Sequence, residues 1–275
     1  MDIIKEVTGY QRPKIDVQDI KVENELITDL QETAEVFNNY FTFKKDKDNM
    51  YKIQNRLNNV KTRNCCSYQN GIHPPSSFVF KTFSTKEISS IIISIKTKYT
   101  CGYDWISTKL LKVSSNYITS PLTYICNKVI LSGIFPDRLK YSIVKPALKK
   151  GDRTKPTNYR PISLLTSFSK VLEKALYSRL TEYLYNNKLL VENQYGFWKG
   201  LTSDDAIFKL INEILDTLNK KMKTGSVFCD LQKAFDTVNH KLLLDKLQYY
   251  GITGKAKTLL ESYLQNRYQR VQISN

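Results

Sequence analysis

The sequence predicts an α+β fold, in which helices outnumber strands and the strands are grouped rather than interleaved. Three observations predict it: helical periodicity before residue 140, one hairpin pattern centred near residue 150, and further helices and late strands after it. Helices and strands in separate runs are typical of α+β architecture rather than of alternating β-α units. The 275 residues, 41% of them hydrophobic, suffice for one large core or two small ones.

The first 140 residues are predicted to be mainly helical. Apolar side chains at helical spacing mark a helix over Glu32–Phe41. Ser84 and Glu87 form a capping-box pattern that opens a second helix. Two more helices are expected over Ser107–Val113 and Pro121–Leu131.

A β-hairpin is predicted next. Tyr141–Leu148 alternates like a strand, Lys149-Lys150-Gly151-Asp152 has the composition of a basic turn, and Asn158–Leu165 is the returning strand. Two long amphipathic helices should follow, marked by leucines from Leu172 to Leu184 and by apolar residues from Ile207 to Leu218.

The last part of the chain is predicted to contain two strands and two helices. Val227–Asp230 has the pattern of a short apolar strand that ends in a carboxylate. Helices are expected over Leu242–Leu247 and Ala256–Leu264. Tyr268–Ile273 alternates like a strand, and we expect it to present an unpaired edge.

Composition argues against membrane and zinc-binding classes. No apolar run reaches the length of a membrane span, and the first residues do not form a signal peptide. The five cysteines form no Cys-x-x-Cys pair, and the two histidines are far apart, so a zinc site is not expected. We expect an intracellular protein, nuclear or cytoplasmic, with reduced thiols.

Positive charge is concentrated away from the first 50 residues. The chain has 42 basic and 26 acidic residues, and the first 50 hold 7 and 11 of these, which leaves a net +20 on the remainder. Arg138–Arg179 is the densest block, with 11 basic residues against two acidic ones. This block indicates a polyanionic partner, although a solvated lysine-rich surface would give the same composition.

Several short blocks resemble, in the same order, those of reverse transcriptases from non-LTR retrotransposons (LINE, jockey-like). The blocks are Phe37–Phe41, Gly102-Tyr103-Asp104, Gly133–Pro136, Val144–Leu165, Gln194–Phe197 with Asp205-Ala206, and Asp230–His240. Each block alone is a weak indication of the family, but the ordered series is a strong one.

The resemblance implies a right-hand polymerase architecture. It divides the chain into an N-terminal lead-in and linker (1–77), a helical N-terminal extension (78–140), fingers (141–224) and a partial palm (225–275). The family's second catalytic motif, with a pair of aspartates, and its thumb should lie after Asp236, and neither is recognisable there. We therefore expect a truncated chain without polymerase activity of its own.

The resemblance also assigns roles to single residues. Asp230 is the expected catalytic and metal-binding carboxylate, and the backbone carbonyl of Leu231 a further ligand to Mg²⁺. The complete family site holds two such ions, and we expect at most a partial site here. Arg160, Lys149 and Lys150 would bind the triphosphate of a dNTP, and Phe235 would act as a gate against the ribose 2′-hydroxyl. Three of these assignments have a plainer alternative: Asp230 could cap the end of a strand, the lysines could be surface residues of a turn, and Phe235 could be a core aromatic.

Nucleic-acid contacts are expected from the basic fingers and one aromatic residue. The RNA template and DNA primer would contact Lys145, Arg153, Lys155, Trp198 and Lys199. Trp198 stands where the family usually has arginine, and Thr202-Ser203 reverses the usual order. Asp204-Asp205 is interpreted as a helix start and not as the missing aspartate pair. The competing hypotheses are a non-catalytic RNA- or DNA-binding remnant and a decayed product that folds poorly.

Overall fold

The computed structural model describes residues 19–22, 25–42, 77–191, 193–198, 200–231, 234–235 and 238–273. The strands are β1 Ile20–Val22, β2 Glu25–Ile27, β3 Tyr141–Leu148, β4 Tyr159–Leu164 and β5 Tyr268–Val271. The helices are α1 Leu30–Phe41, α2 Thr85–Ser94, α3 Thr108–Val113, α4 Ser115–Ser132, α5 Ser167–Asn186, α6 Ser203–Asn219, α7 His240–Tyr249 and α8 Gly254–Leu264. The mixed α+β class predicted from the sequence is therefore observed.

The main core lies between helices from the second, third and fourth of the four segments predicted from the sequence, that is, from residues 78–140, 141–224 and 225–275. Ile92 of α2, Ile130 of α4, Leu172 of α5 and Leu259 of α8 are all buried in it. Helices that present apolar residues at intervals of three and four can bury a continuous stripe against one another. Residues from the segments 78–140, 141–224 and 225–275 thus share one core.

Local signals fixed most helix ends as predicted. Ser84 and Glu87 form the predicted capping box, and the backbone N–H of Ser84 donates to the Glu87 carboxylate at 2.8 Å. Gly133 ends α4 in the left-handed conformation. One helix start was wrong: α4 begins at Ser115, so Pro121 lies inside the helix instead of opening it.

The hairpin belongs to a three-stranded sheet with the order β4-β3-β5, in which β3 is the central strand. β3 and β4 are antiparallel, as the hairpin pattern predicted, and their register places Ala147 opposite Arg160. β5 pairs in parallel with the first half of β3, from Tyr141↔Tyr268 to Val144↔Val271. The strand predicted at Tyr268–Ile273 therefore pairs with β3 along one edge. Its other edge has no partner among the described strands, so an unpaired edge is present on that side only.

One face of this sheet packs on α1 and forms a second, smaller core. Val144 and Tyr159 are buried there with Ile20, Phe37 and Phe41. The rings of Phe37 and Tyr159 meet edge to face with centroids 4.9 Å apart. This packing leaves the opposite face of the sheet for other contacts.

The predicted strand at Val227–Asp230 was wrong. Described residues between Met222 and Asn239 form neither helix nor strand. Val227 is 87% exposed and Phe228 is 81% exposed. A strand must hydrogen-bond to a neighbouring strand, and no described strand lies beside this segment.

A partly buried carboxylate ties the C-terminal part of the chain to α5. Glu173 accepts hydrogen bonds from the Ser169 hydroxyl at 3.2 Å and the Tyr263 hydroxyl at 3.3 Å. The Arg267 guanidinium lies 3.9 Å from it. Burial nevertheless raises the pKa of Glu173, against the lowering effect of Arg267.

The loop ahead of α3 passes directly over the end of β4, at Gly102. A Cβ added there would lie 2.7 Å from the Thr166 backbone nitrogen. Only a residue without a side chain fits, because Thr166 is held as the N-cap of α5.

We predict that Gly102→Ala lowers the free energy of unfolding by about 1–3 kcal/mol, the usual cost of overpacking. Gly225→Ala is the control, since a Cβ added at Gly225 would meet no atom within 4 Å. Urea unfolding monitored by circular dichroism measures both. Equal midpoints for the two variants would show that the close approach at Gly102 is absent.

We predict a pH-dependent stability contribution from Glu173. Its pKa in the folded protein lies above the ordinary value of 4.5, so the folded protein retains a proton that the unfolded chain has lost. The contribution to stability therefore falls as pH rises from the ordinary pKa through the raised one, and is constant above it. Glu173→Gln should remove this dependence in urea titrations made across that range.

Glu87→Gln is the matched control, because the pKa of Glu87 is lowered, chiefly by the Ser84 backbone N–H. The pH dependence of the Glu87 contribution to stability has the opposite sign. This contribution is present above the ordinary pKa and is lost as pH falls through the lowered pKa. A difference between wild type and Glu173→Gln that does not change with pH contradicts the Glu173 prediction.

Candidate active site

The exposed face of the hairpin carries two of the predicted ligand-binding side chains. Arg160 lies opposite Ala147, and Lys145 lies opposite Ile162. Arg160 and Lys145 are thus diagonal neighbours on the same face of an antiparallel pair. Arg160 is exposed and forms no ion pair with another described residue, whereas Lys145 is half-buried.

The turn of the hairpin holds the other predicted basic residues. The Lys149 N–H donates to the Asn158 carbonyl at 2.8 Å, which extends the ladder one pair beyond β3. Asp152 accepts from the N–H and hydroxyl of Thr154, and these hydrogen bonds lower its pKa. The exposed cations of this turn are Lys149, Lys150, Arg153 and Lys155. The only carboxylate of the turn is therefore engaged locally while its cations face solvent.

Asp230 lies in the exposed segment without regular structure. No hydrogen bond or ion pair joins it to another described residue, and the neighbouring Leu231 is 76% exposed. Asp236 lies outside the described residues. The described part of the chain contains no group of three or more potential metal ligands. These residues do not complete a two-ion site: one carboxylate can bridge two Mg²⁺ ions, but it leaves most of their octahedral oxygen positions without a described protein ligand.

Phe235 contacts a residue from another predicted block. Its ring meets Phe197 edge to face, with centroids 5.7 Å apart. Phe235 is 76% exposed, so the alternative of a core aromatic was wrong. Phe197 adopts φ +61°, a left-handed backbone that is unusual for a bulky residue. The contact joins the Gln194–Phe197 block to the Asp230 segment, and no pattern in the sequence predicted it.

Trp198 packs beside α5, with its ring 5.9 Å from that of Tyr185. Lys199 lies outside the described residues.

Thr202 and Asp205 form a capping box at the start of α6, as predicted for this aspartate pair. The Thr202 hydroxyl and N–H bind the Asp205 carboxylate and lower its pKa.

The sequence did not single out a pocket at the far end of β3 from the turn. Tyr103, Tyr141 and Tyr268 line it together with Arg138 and Arg270. Helical and strand periodicity could not reveal it, because it depends on the parallel pairing of β3 with β5.

No helix in the described residues has the length and apolarity needed to cross a bilayer.

Comparison with known proteins gives consistent matches. Residues 147–275 match the family described as reverse transcriptase (RNA-dependent DNA polymerase). The chain is 31% identical over 206 residues to the probable RNA-directed DNA polymerase from transposon BS of Drosophila melanogaster, covering 72% of this chain and 22% of that protein. It is 28% identical over 180 residues to the RNA-directed DNA polymerase from mobile element jockey of Drosophila funebris, covering 65% and 19%.

The chain thus spans about a fifth of the length of the curated relatives it matches. The family match includes β4 with Arg160 and the segment from Asp230 to His240. The ordered blocks, the mixed α+β fold and these matches agree, and the chain therefore carries a reverse transcriptase domain of the non-LTR retrotransposon type.

Proposed function

We propose that this chain supplies the nucleotide-binding fingers and the first catalytic motif of an RNA-directed DNA polymerase. The reaction is in-line displacement at the α-phosphorus of a dNTP by the 3′-hydroxyl of a primer paired with an RNA template. The observation that supports this most is the β3–β4 register, in which Arg160 lies on the exposed face next to the basic turn.

Arg160 is the proposed main ligand of the triphosphate. Its planar guanidinium can donate to two phosphate oxygens at once, which a lysine cannot do. Pro161 restricts the backbone of Arg160 to extended conformations, so the side chain leaves the strand in a fixed direction. Lys149 and Lys150 at the turn would add charge without directional constraint.

Phe235 is the proposed gate beside the sugar. A bulky ring there would clash with a ribose 2′-hydroxyl and favour deoxynucleotides. Phe197 supports this proposal, because its edge contact limits the positions open to the Phe235 ring. Lys145, Arg153, Lys155, Trp198 and Lys199 are the proposed template and primer contacts.

Reverse transcriptases generally use divalent metal ions, and Asp230 with the Leu231 carbonyl are the proposed ligands to one of them. The described residues do not complete a two-ion site. We further propose the division into lead-in, extension, fingers and partial palm given above, within a right-hand architecture.

We predict that Arg160→Ala weakens dNTP binding about 10- to 100-fold, the usual effect of losing charge-assisted hydrogen bonds. Isothermal titration with dTTP and magnesium measures the affinity. Lys241→Ala is the control, because Lys241 is exposed on α7 outside the hairpin. Equal affinity for Arg160→Ala and Lys241→Ala would contradict the assignment of Arg160.

We predict that the purified chain does not extend a DNA primer on an RNA template in the presence of magnesium and dNTPs. The physical reason is that the described residues offer one carboxylate, Asp230, to the proposed metal site. Primer extension resolved on a sequencing gel is the measurement. Extension by the wild-type chain that disappears in Asp230→Asn would overturn this prediction.

A non-catalytic nucleic-acid-binding protein is the second candidate function. The exposed cations of the hairpin turn favour it, because they are suited to phosphate contacts whether or not catalysis follows. A wild-type chain that binds RNA but gives no heat with dTTP would support this candidate over the first.

A further inference from the structure

A cavity of about 650 Å³ lies at the ends of β3 and β5. Its wall includes Tyr103, Tyr141, Tyr268, Gln269, Arg138 and Arg270. None of the side chains proposed above for triphosphate, sugar, metal or template contacts lines it. Lys149 is eight residues along from Tyr141, so the pocket lies about 25 Å from the basic turn at the usual rise of a strand.

Three tyrosine rings form a continuous surface in this pocket. Tyr141 and Tyr268 are partners in the parallel register, and their rings stack with centroids 5.2 Å apart and planes 19° apart. Tyr103 meets Tyr141 edge to face at 5.8 Å, and its hydroxyl donates to the Arg138 carbonyl at 2.7 Å. Tyr141 and Tyr268 remain 45% and 54% exposed, so their rings are held in place yet open to a ligand.

The charge around these rings is positive. Arg138 and Arg270 are exposed and form no ion pair with another described residue. No carboxylate among the described residues lines the pocket, and the strands β3, β4 and β5 contain no acidic residue. The nearby Asp137 pairs with Lys140 at 3.0 Å. An anionic ligand would therefore meet two available guanidinium groups.

We infer that this pocket binds an unpaired nucleotide of a single-stranded nucleic acid. The base stacks on the ring of Tyr268, and the flanking phosphates lie near Arg138 and Arg270. Exposed aromatic faces with adjacent cations are the usual means of binding single strands without sequence preference. A duplex is not a ligand of this pocket, because its bases are stacked on each other and offer no free face.

The inference goes beyond the proposed function, because it assigns a ligand to residues that the polymerase proposal does not use. The proposed function and this inference can also be contradicted independently of each other. Titration of dTTP against Arg160→Ala tests the first, and oligonucleotide binding by Tyr268→Ala tests the second.

The test is fluorescence anisotropy of the full chain with labelled oligo-U and oligo-dT of about 12 nucleotides. Tyr268→Ala should weaken binding roughly 5- to 100-fold, the effect of losing one base–aromatic stack. Tyr268→Phe keeps the ring and should bind like the wild type. Tyr177→Ala is the matched control, because Tyr177 is also 54% exposed but lies on α5 outside the pocket.

Two further binding measurements identify the class of ligand. Arg138→Ala and Arg270→Ala should each reduce the slope of log affinity against log salt by about 0.7, the value for one phosphate of a single strand. Tyr268→Ala should leave the affinity for a blunt duplex of the same length unchanged.

Thermal melting followed by circular dichroism confirms that each variant is folded. Wild-type affinity for single strands in folded Tyr268→Ala overturns the inference. An equal loss in Tyr177→Ala, or an equal loss of duplex binding in Tyr268→Ala, also overturns it. If Tyr268→Ala weakens the binding of oligo-U and oligo-dT equally, the pocket recognises the base and the phosphates. If it weakens the binding of oligo-U alone, the ribose 2′-hydroxyl is a further contact. Either result supports the inference.

Discussion

β3 hydrogen-bonds to a strand along each edge, and the arrangement of the proposed binding residues on the sheet depends on these two pairings. On one edge it pairs with β4, which lies only a turn away in the chain, and this places Arg160 on the open face. On the other edge it pairs with β5, whose first residue is Tyr268, and this builds the tyrosine pocket. The packing of Val144 on α1 fixes which face is buried and which remains open.

The position of β5 depends in turn on a polar contact inside the helical layer. Glu173 of α5 binds Tyr263 of α8 and lies beside Arg267, directly before β5. A partly buried carboxylate with several partners specifies a geometry, since leaving any partner unpaired is costly. The helical core and the sheet are therefore coupled through the few residues that precede Tyr268.

Three acidic side chains among the described residues make hydrogen bonds with residues close to them in the chain. Glu87 closes a capping box and pairs with Arg179 at 2.6 Å, Asp205 caps α6, and Asp152 shapes the hairpin turn. These hydrogen bonds stabilise two helix starts and one turn. At the hairpin turn one carboxylate, Asp152, stands against four exposed cations, Lys149, Lys150, Arg153 and Lys155. The positive field that the composition indicated is thus retained on the folded surface.

Capping boxes, hairpin alternation and the order of family blocks were readable from the sequence, because each depends on residues close together in the chain. They determined the helix starts at Ser84 and Thr202, the β3–β4 strands and the reverse transcriptase domain. The apolar pattern at Val227–Asp230 failed to predict the conformation of that segment. A strand also requires a neighbouring strand to hydrogen-bond with, and the local sequence does not show whether one is present. The pairing of β5 with β3, the Phe197–Phe235 contact and the tyrosine pocket were decided only by the tertiary structure. Each joins residues far apart in the chain, and which distant residues meet is set by the packing of the whole core rather than by any local pattern.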